Sequence, residues 1–397
     1  MTEIGWADLV VGIPAFNCER TIGHVIKTVA EGMSQHFGGK ALVLIVSDGG
    51  STDYTREVAQ KTKFARGVDK IVTIYRGVPG KGTSLRAIFE GALLLEAKCC
   101  VVVDADLRSI TPDWIRSLAA PVLEQGFDFV SPFYVRHKYD GTITNNIARS
   151  MTQALYGKRL RQPIGGDFGL SLKLIRALTS QDVWETDVAK FGIDIWMTTV
   201  AICQGFKICE TFLGSKIHDA KDPAASLGPM FRQVVGTIFE MMKKYESTWR
   251  AVTQSESVPL IGHVHETEPE AVNVSVEALS RRFREGFEHF GSIWQKVLGP
   301  ERFAEVHEIS TLAPEAIAFP VDLWVRTVYD FAVAFQNWAG DRFALVEMLI
   351  PIYFARVAGF VNETRDLSTA DALGRVDIQA ARFEELKGEL LSRWGKA

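Results

Sequence analysis

Short runs of apolar residues, each closing on a polar tail, recur through the first half of the chain, at residues 8–13, 41–46, 70–75, 99–103, 127–133 and 207–213. Most are apolar throughout rather than alternating, which predicts strands covered on both faces, as in a parallel sheet. Between them, residues 19–36, 53–61, 82–96 and 112–124 carry helical spacing. Alternation of this kind predicts an α/β domain with a mostly parallel sheet. Ser51-Thr52-Asp53 offers a cap-like helix start, and Pro112 after Thr111 has the cap-then-first-turn arrangement.

The pattern changes near residue 250. Residues 251–273 are polar and acidic and read as a linker or long loop. Beyond them, residues 274–297, 322–338, 342–360 and 376–394 have helical periodicity with aromatic and leucine positions. The expected organisation is a sheet-containing domain over 1–250, the linker, and a helical C-terminal region over 274–397. The aromatic-rich stretch 323–338 reads as core or dimer interface, and a homodimer is expected.

With 397 residues, 47% of them hydrophobic, the chain can fill one large core and a smaller one. A net charge of −4 and no long basic run argue against nucleic acid as a partner. No apolar run reads as long enough for a membrane span. Five cysteines (Cys18, Cys99, Cys100, Cys203 and Cys209) form no CxxC pair, and the first strand starts too early for a signal peptide. A reduced, cytoplasmic protein is expected.

In parallel α/β sheets, ligands sit beyond the carboxyl ends of the strands, so the polar tails are the candidate chemistry. Asp104-Ala105-Asp106 follows the fourth run; two carboxylates at a strand end can share a hard cation that also bridges diphosphate oxygens. A solvated turn is the plain alternative. Val78-Pro79-Gly80-Lys81-Gly82 places glycines and a cation at a helix start, which suits a diphosphate, although it lacks the spacing of a Walker loop. Asp48, within Ser47-Asp48-Gly49-Gly50-Ser51-Thr52-Asp53, can accept hydrogen bonds from a base or ribose.

With Pro14-Ala15-Phe16-Asn17-Cys18-Glu19 at the first strand end, these motifs occur in an order that resembles the GT-A glycosyltransferases. More narrowly, residues 8–242 resemble the retaining group of glucosyl-3-phosphoglycerate, mannosylglycerate-type and glucosylglycerate synthases. The resemblance implies a GT-A-like nucleotide-sugar-binding domain and a UDP- or GDP-hexose donor, glucose being the expected sugar. Donor contacts then fall to Pro14, Ala15, Asn17, Glu19, Asp48, Gly80, Lys81, Asp104 and Ala105. Asp106 and His218 are implied ligands of Mg²⁺ or Mn²⁺. Lys81 and Asp194 are the implied catalytic pair, with Asp194 near the donor sugar. Arg136, Thr144, Gly165 and Gly166 are implied to border a small-acid acceptor.

The chain departs from that pattern at Thr142, where phosphoglycerate-using relatives have an arginine, and at Asp219-Ala220, where they have an asparagine-containing stretch. Loss of a cationic fork disfavours a phosphorylated acceptor unless Lys138, Arg136 or Lys221 replaces it, so D-glycerate or a similar acid is expected. The alternatives are a phosphorylated acceptor, or an inverting enzyme with Asp194 as base. A sugar nucleotidylyltransferase would need a glycine-rich basic loop after the first strand, and residues 14–19 are not one. A non-catalytic nucleotide-sugar binder is the remaining class.

Overall fold

The computed structural model describes residues 4–64, 66–75, 77–218, 223–265 and 267–395. Its strands are β1 (Leu9–Ala15), β2 (Leu42–Asp48), β3 (Asp69–Ile74), β4 (Cys99–Val102), β5 (Phe129–Val135), β6 (Lys158–Arg159), β7 (Phe168–Ser171), β8 (Ile208–Ser215), β9 (Glu256–Ser257) and β10 (Leu260–Ile261). The described residues form an eight-stranded sheet in the order β10-β8-β5-β7-β4-β1-β2-β3, with β6 and β9 as a separate ladder. Every pairing in the large sheet is parallel except those of β7, which runs antiparallel to both β4 and β5.

The chain divides into two units. The first comprises residues 1–136, 160–219 and 257–270; the second comprises 137–159, 220–256 and 271–397. The second unit therefore takes in stretches that precede residue 250, and the segment read as a linker is shared out, with 257–270 joining the sheet.

In the first unit, α1 (Ile22–Phe37), α2 (Thr55–Lys61), α3 (Lys81–Leu94), α4 (Pro112–Gln125), α6 (Leu172–Thr179) and α7 (Ile193–Cys203) flank the sheet. Both faces are covered, which is why β1 and β2 tolerate runs such as Leu9-Val10-Val11 and Leu42-Val43-Leu44-Ile45-Val46 with scarcely any exposed surface. α1 shows how spacing becomes packing: Ile22, Val25, Ile26, Val29 and Met33 recur at helical intervals and are fully buried. Each such burial is worth about 1.5–3 kcal/mol. Pro112 does open α4, but the Thr111 side chain makes no cap bond; α2 has Tyr54 at its cap position, and Asp53 just before it accepts from the Thr55 amide at 3.0 Å.

The second unit is helical: α5 (Arg149–Tyr156), α8 (Pro223–Lys244), α9 (Glu246–Ala251), α10 (Val276–Thr311), α11 (Val321–Asn337), α12 (Arg342–Thr364), α13 (Thr369–Glu385) and α14 (Lys387–Arg393), with a π-helical turn at Thr144–Ala148. α10 is broken at Gly299, whose φ of 73° is left-handed, and Pro300 starts the next helix. The aromatic stretch 323–338 is core of this unit, with Trp324, Tyr329, Phe331 and Phe335 fully buried.

One expectation is corrected here. α12 is long and apolar enough to cross a membrane by length and composition, although most of it is buried inside the protein, as in the core helix of a soluble fold. Its leucines and aromatics are interrupted by Arg356, which is why the run escapes a reading by eye. All five cysteines are free thiols.

Candidate functional site

Sheet register gathers the predicted loops at one edge. Ala15 pairs with Asp48, Asp48 with Ile74, and Gly12 with Val102, so β1, β2, β3 and β4 end nearly level. Their tails at 14–19, 48–55, 75–82 and 103–111 therefore emerge together, as expected for a parallel sheet. β8 ends alongside β5, with Val135 opposite Ser215, which delivers Lys216, Ile217 and His218 to the same edge. Because β7 is antiparallel, its beginning rather than its end lies there, and Phe168 opposite Val102 brings in Gly165, Gly166 and Asp167.

The first two loops are laced together. The Asn17 amide donates to Ser51 Oγ at 2.9 Å, and Asn17 Oδ1 accepts from the Thr52 amide at 2.9 Å. Glu19 Oε2 accepts from the Tyr54 amide at 2.9 Å, and the Glu19 amide donates to Asp53 Oδ2 at 3.2 Å. Asn17 adopts a left-handed φ of 49°, which asparagine tolerates well. Asp48 Oδ1 accepts from the Gly50 and Ser51 amides at 2.9 and 3.0 Å, whereas its Oδ2 is buried and makes no hydrogen bond. A buried carboxylate oxygen without a donor is costly unless a ligand or water supplies one.

At the centre lies an alternating chain of charges. Lys81 Nζ sits 2.9 Å from Asp104 Oδ1 and 3.2 Å from Asp194 Oδ2. Lys216 Nζ sits 2.9 Å from both Asp104 Oδ2 and Asp167 Oδ2, and donates to Gly165 O at 2.8 Å. Asp167 Oδ1 accepts from the Asp104 amide at 2.8 Å, and Tyr134 donates its hydroxyl to Asp167 Oδ2. The Lys216 ammonium and the Arg136 guanidinium both lie over the Tyr134 ring, 5.0 and 5.3 Å from its centroid.

Burial works against charge throughout this cluster, and the ion pairs decide the outcome. Burial opposes the ammonium of Lys81, but Asp104 and Asp194 outweigh it and hold the pKa above the ordinary lysine value. Burial likewise opposes the Lys216 ammonium, and Asp104 and Asp167 outweigh it. Burial would raise Asp104, yet Lys216 and Lys81 hold it well below the usual carboxylate range. At Asp194 burial prevails over Lys81 and the pKa is raised. Asp194 Oδ1 is buried without a hydrogen bond, so the site presents a cation and an unsatisfied acceptor side by side.

Asp104, expected to contact the nucleotide, is paired through Oδ1 with Lys81 and through Oδ2 with Lys216. The glycines at 80 and 82 lie close to the 188–190 backbone. A Cβ at Gly82 would lie 1.8 Å from Val188 O, and one at Gly80 2.3 Å from Ala189 O. The Gly82 amide donates to Lys190 O at 3.2 Å.

Asp106 and His218 lie on hydrogen-bonded neighbours. The Arg108 amide donates to Ile217 O at 2.9 Å, and the Ile217 amide to Ser109 Oγ at 2.9 Å. Thr21 Oγ1 donates to Ala105 O at 2.9 Å and secures the same loop. No group of three or more potential metal ligands occurs among the described residues. One carboxylate and one imidazole nevertheless fit Mg²⁺ or Mn²⁺, which take the rest of their shell from water and phosphate oxygens. Lys81 and Lys216 face three carboxylates, those of Asp104, Asp167 and Asp194. An incoming diphosphate would deepen that negative excess, which a divalent cation offsets.

Thr144 belongs to the second unit, where it is buried in the π-helical turn. Thr142 shares a 2.6 Å hydrogen bond with the Tyr353 hydroxyl. Lys138, considered above as a replacement phosphate partner, is corrected: its Nζ donates to the carbonyls of Thr364, Arg365 and Leu367 at 2.7, 2.9 and 2.7 Å. Those three bonds exhaust an ammonium group. Lys221, like Asp219-Ala220, lies outside the described residues.

Lys216, Asp167 and Tyr134 were not singled out from the sequence. The one signal was Gly165-Gly166-Asp167, and Gly166 explains it. Gly166 has φ of +88°, and a Cβ there would stand 2.1 Å from Asp104 Oδ2. Gly166→Ala is expected to destabilise the fold by about 2–4 kcal/mol through backbone strain and displacement of Asp104. Urea unfolding measures this, and an unchanged midpoint would refute the close packing.

Residues 10–177 match the family described as Glycosyl transferase family 2. Glucosyl-3-phosphoglycerate synthase from Mycolicibacterium smegmatis is 25% identical over 249 residues, 57% of this chain and 75% of that one. Among solved structures, glucosyl-3-phosphoglycerate synthase from Mycobacterium tuberculosis in complex with Mn²⁺, UDP-glucose and phosphoglyceric acid is 27% identical, with a TM-score of 0.49 over 60% of this chain and 80% of that one. Its complex with phosphoglyceric acid gives 27% identity and a TM-score of 0.48 over 59% and 80%.

Proposed function

With a glycosyltransferase family 2 domain over residues 10–177 the chain is a glycosyltransferase, and we propose that it moves a glucosyl group from a nucleotide-sugar to D-glycerate or a similar small acid, with retention. The observation that carries the donor half is the ion pair of a protonated Lys81 with Asp194 Oδ2, which leaves Asp194 Oδ1 buried without a hydrogen bond beside it. A cation beside an acceptor matches a ligand with an anionic diphosphate and a hydroxylated ring.

Asp106 and His218 would hold Mg²⁺ or Mn²⁺, which neutralises charge on the leaving diphosphate. Lys81 stays protonated and adds a second positive charge there. Asp194 Oδ1 accepts from a sugar hydroxyl, and Asp48 Oδ2 from the base or ribose. Lys216 keeps Asp104 ionised and therefore keeps Lys81 in place. The ion pair with Lys81 supports Asp194 as a sugar-positioning group rather than a base, which favours retention over the inverting alternative.

A three-carbon acid acceptor is supported by the name of the M. smegmatis relative. The non-phosphorylated form is supported by Thr142, which replaces an expected arginine and is bonded to Tyr353, and by Lys138, whose donors are all used. The relative's name favours the phosphorylated acceptor instead. A turnover matrix of UDP-, GDP- and ADP-glucose against D-glycerate and 3-phosphoglycerate, with and without divalent metal, tests the reading. Turnover should require metal and be at least tenfold more efficient with D-glycerate; equal or better turnover of 3-phosphoglycerate overturns the acceptor assignment. Proton NMR should show an α-linked product from an α-linked donor, and a β product would make Asp194 the base of an inverting enzyme.

A further inference from the structure

The helical second unit holds the backbone of residues 142–148 through side chains that come from far along the chain. Gln379, on α13 and 1% exposed, donates its Nε2 to Asn145 O at 3.0 Å and to Asn146 O at 3.2 Å. Trp324, on α11, donates its indole N–H to the same Asn146 carbonyl at 2.8 Å. Two donors thus fill both lone pairs of one carbonyl oxygen. The Gln379 amide cannot turn over, because its Oε1 accepts from Arg356 Nε at 3.1 Å and arginine offers only donors. Arg356 is itself 1% exposed and is fixed by Phe319 O and Glu363 Oε2, each at 3.3 Å. Tyr353 closes the upstream end on Thr142, and on the downstream side Asp377 pairs with Arg149 while Glu384 accepts from Gln153 at 3.0 Å.

The clamped segment is the π-helical turn Thr144–Ala148, in which the Arg149 amide reaches Thr144 O. A π turn is a departure from the α-helix that recurs at functional sites, and it persists where the surroundings impose it. All of these contacts lie within the second unit.

We propose that Gln379, locked by Arg356 and assisted by Trp324, is a positioning residue for the turn that carries Thr144. The proposal rests on the reading above that Thr144 contacts the acceptor. Neither Gln379 nor Trp324 touches the reacting groups; both act through the carbonyls of Asn145 and Asn146.

Gln379→Leu keeps the volume and removes both donors, whereas Trp324→Phe keeps an aromatic ring and removes one. The measurements are KM for acceptor, KM for UDP-glucose, kcat and the thermal midpoint of each folded variant. Gln379→Leu should raise acceptor KM by about tenfold or more, Trp324→Phe by a smaller factor in the same direction, with KM for UDP-glucose within twofold. A change in thermal midpoint with both KM values unmoved, or an equal rise in both, would reduce Gln379 to a structural residue. If Gln379→Leu does not fold, Trp324→Phe decides alone on the same split. Thr144→Val separates this proposal from its premise. Unchanged acceptor KM in Thr144→Val means that the acceptor reading has failed. A raised acceptor KM there with none in Gln379→Leu or Trp324→Phe means that the clamp has failed.

Discussion

An Asp106→Ala enzyme should lose roughly 10³-fold in kcat with UDP-glucose and small acid. The expectation follows from the proposed role of Asp106 as a metal ligand. The cluster of Lys81, Asp104, Lys216, Asp167 and Tyr134 is completed without it, and the loop that carries it is anchored by backbone bonds at Ala105 and Arg108. The carboxylate lies close enough to Cys18 that, together with burial, it helps to push that thiol up to about 11. Asp104→Ala is a different experiment, because it strips both lysines of a carboxylate and should cost stability as well as rate. Steady-state kinetics across a Mn²⁺ titration, with thermal melting as the control, distinguish the two. Binding of UDP-glucose with unaltered metal-dependent turnover in Asp106→Ala would sink the enzymatic role of this aspartate.

Every strand tail that was read as candidate chemistry reaches the same sheet edge, because apolar runs at αβ spacing leave little freedom in where a parallel strand ends. Lys81, Asp104 and Asp194 were legible as types of residue at strand and helix ends. Their mutual pairing was not, since Lys81 and Asp194 are separated by 113 residues and no local rule joins them. Asp167 and Lys216 escaped for a topological reason. β7 has only four residues, and its antiparallel direction inverts the rule about strand ends, so the residues before it carry the chemistry. Lys138 shows the opposite failure: a lysine beside the acceptor loop looks available in sequence, yet it is bonded to the C-terminal end of α12, more than 220 residues away.

Lys216→Met should be the most destabilising single change in the sheet unit, by about 3–5 kcal/mol, because it leaves buried carboxylates without their partner. The Lys216 side chain is 3% exposed and that of Asp167 is 0% exposed, so solvent cannot take over the lost interactions. Methionine replaces the stem of lysine but supplies none of the three donors that reach Asp104, Asp167 and Gly165. The Asp104 and Asp167 carboxylates outweigh burial and hold the Lys216 pKa above the ordinary lysine value of 10.5, so its contribution is fully present below that pH and disappears as pH rises through the folded-state value. Chemical denaturation at pH 7 should therefore show the full deficit of the variant. The gap between variant and native protein should narrow as the pH is taken above about 10.5. Asp167→Asn in the Lys216→Met background removes one stranded charge and should recover part of the loss, giving a coupling energy on the order of 1–3 kcal/mol in a double-mutant cycle. Strict additivity of the two substitutions would mean that Lys216 and Asp167 do not act as a pair, and the buried charge chain beneath Asp104 would have to be abandoned.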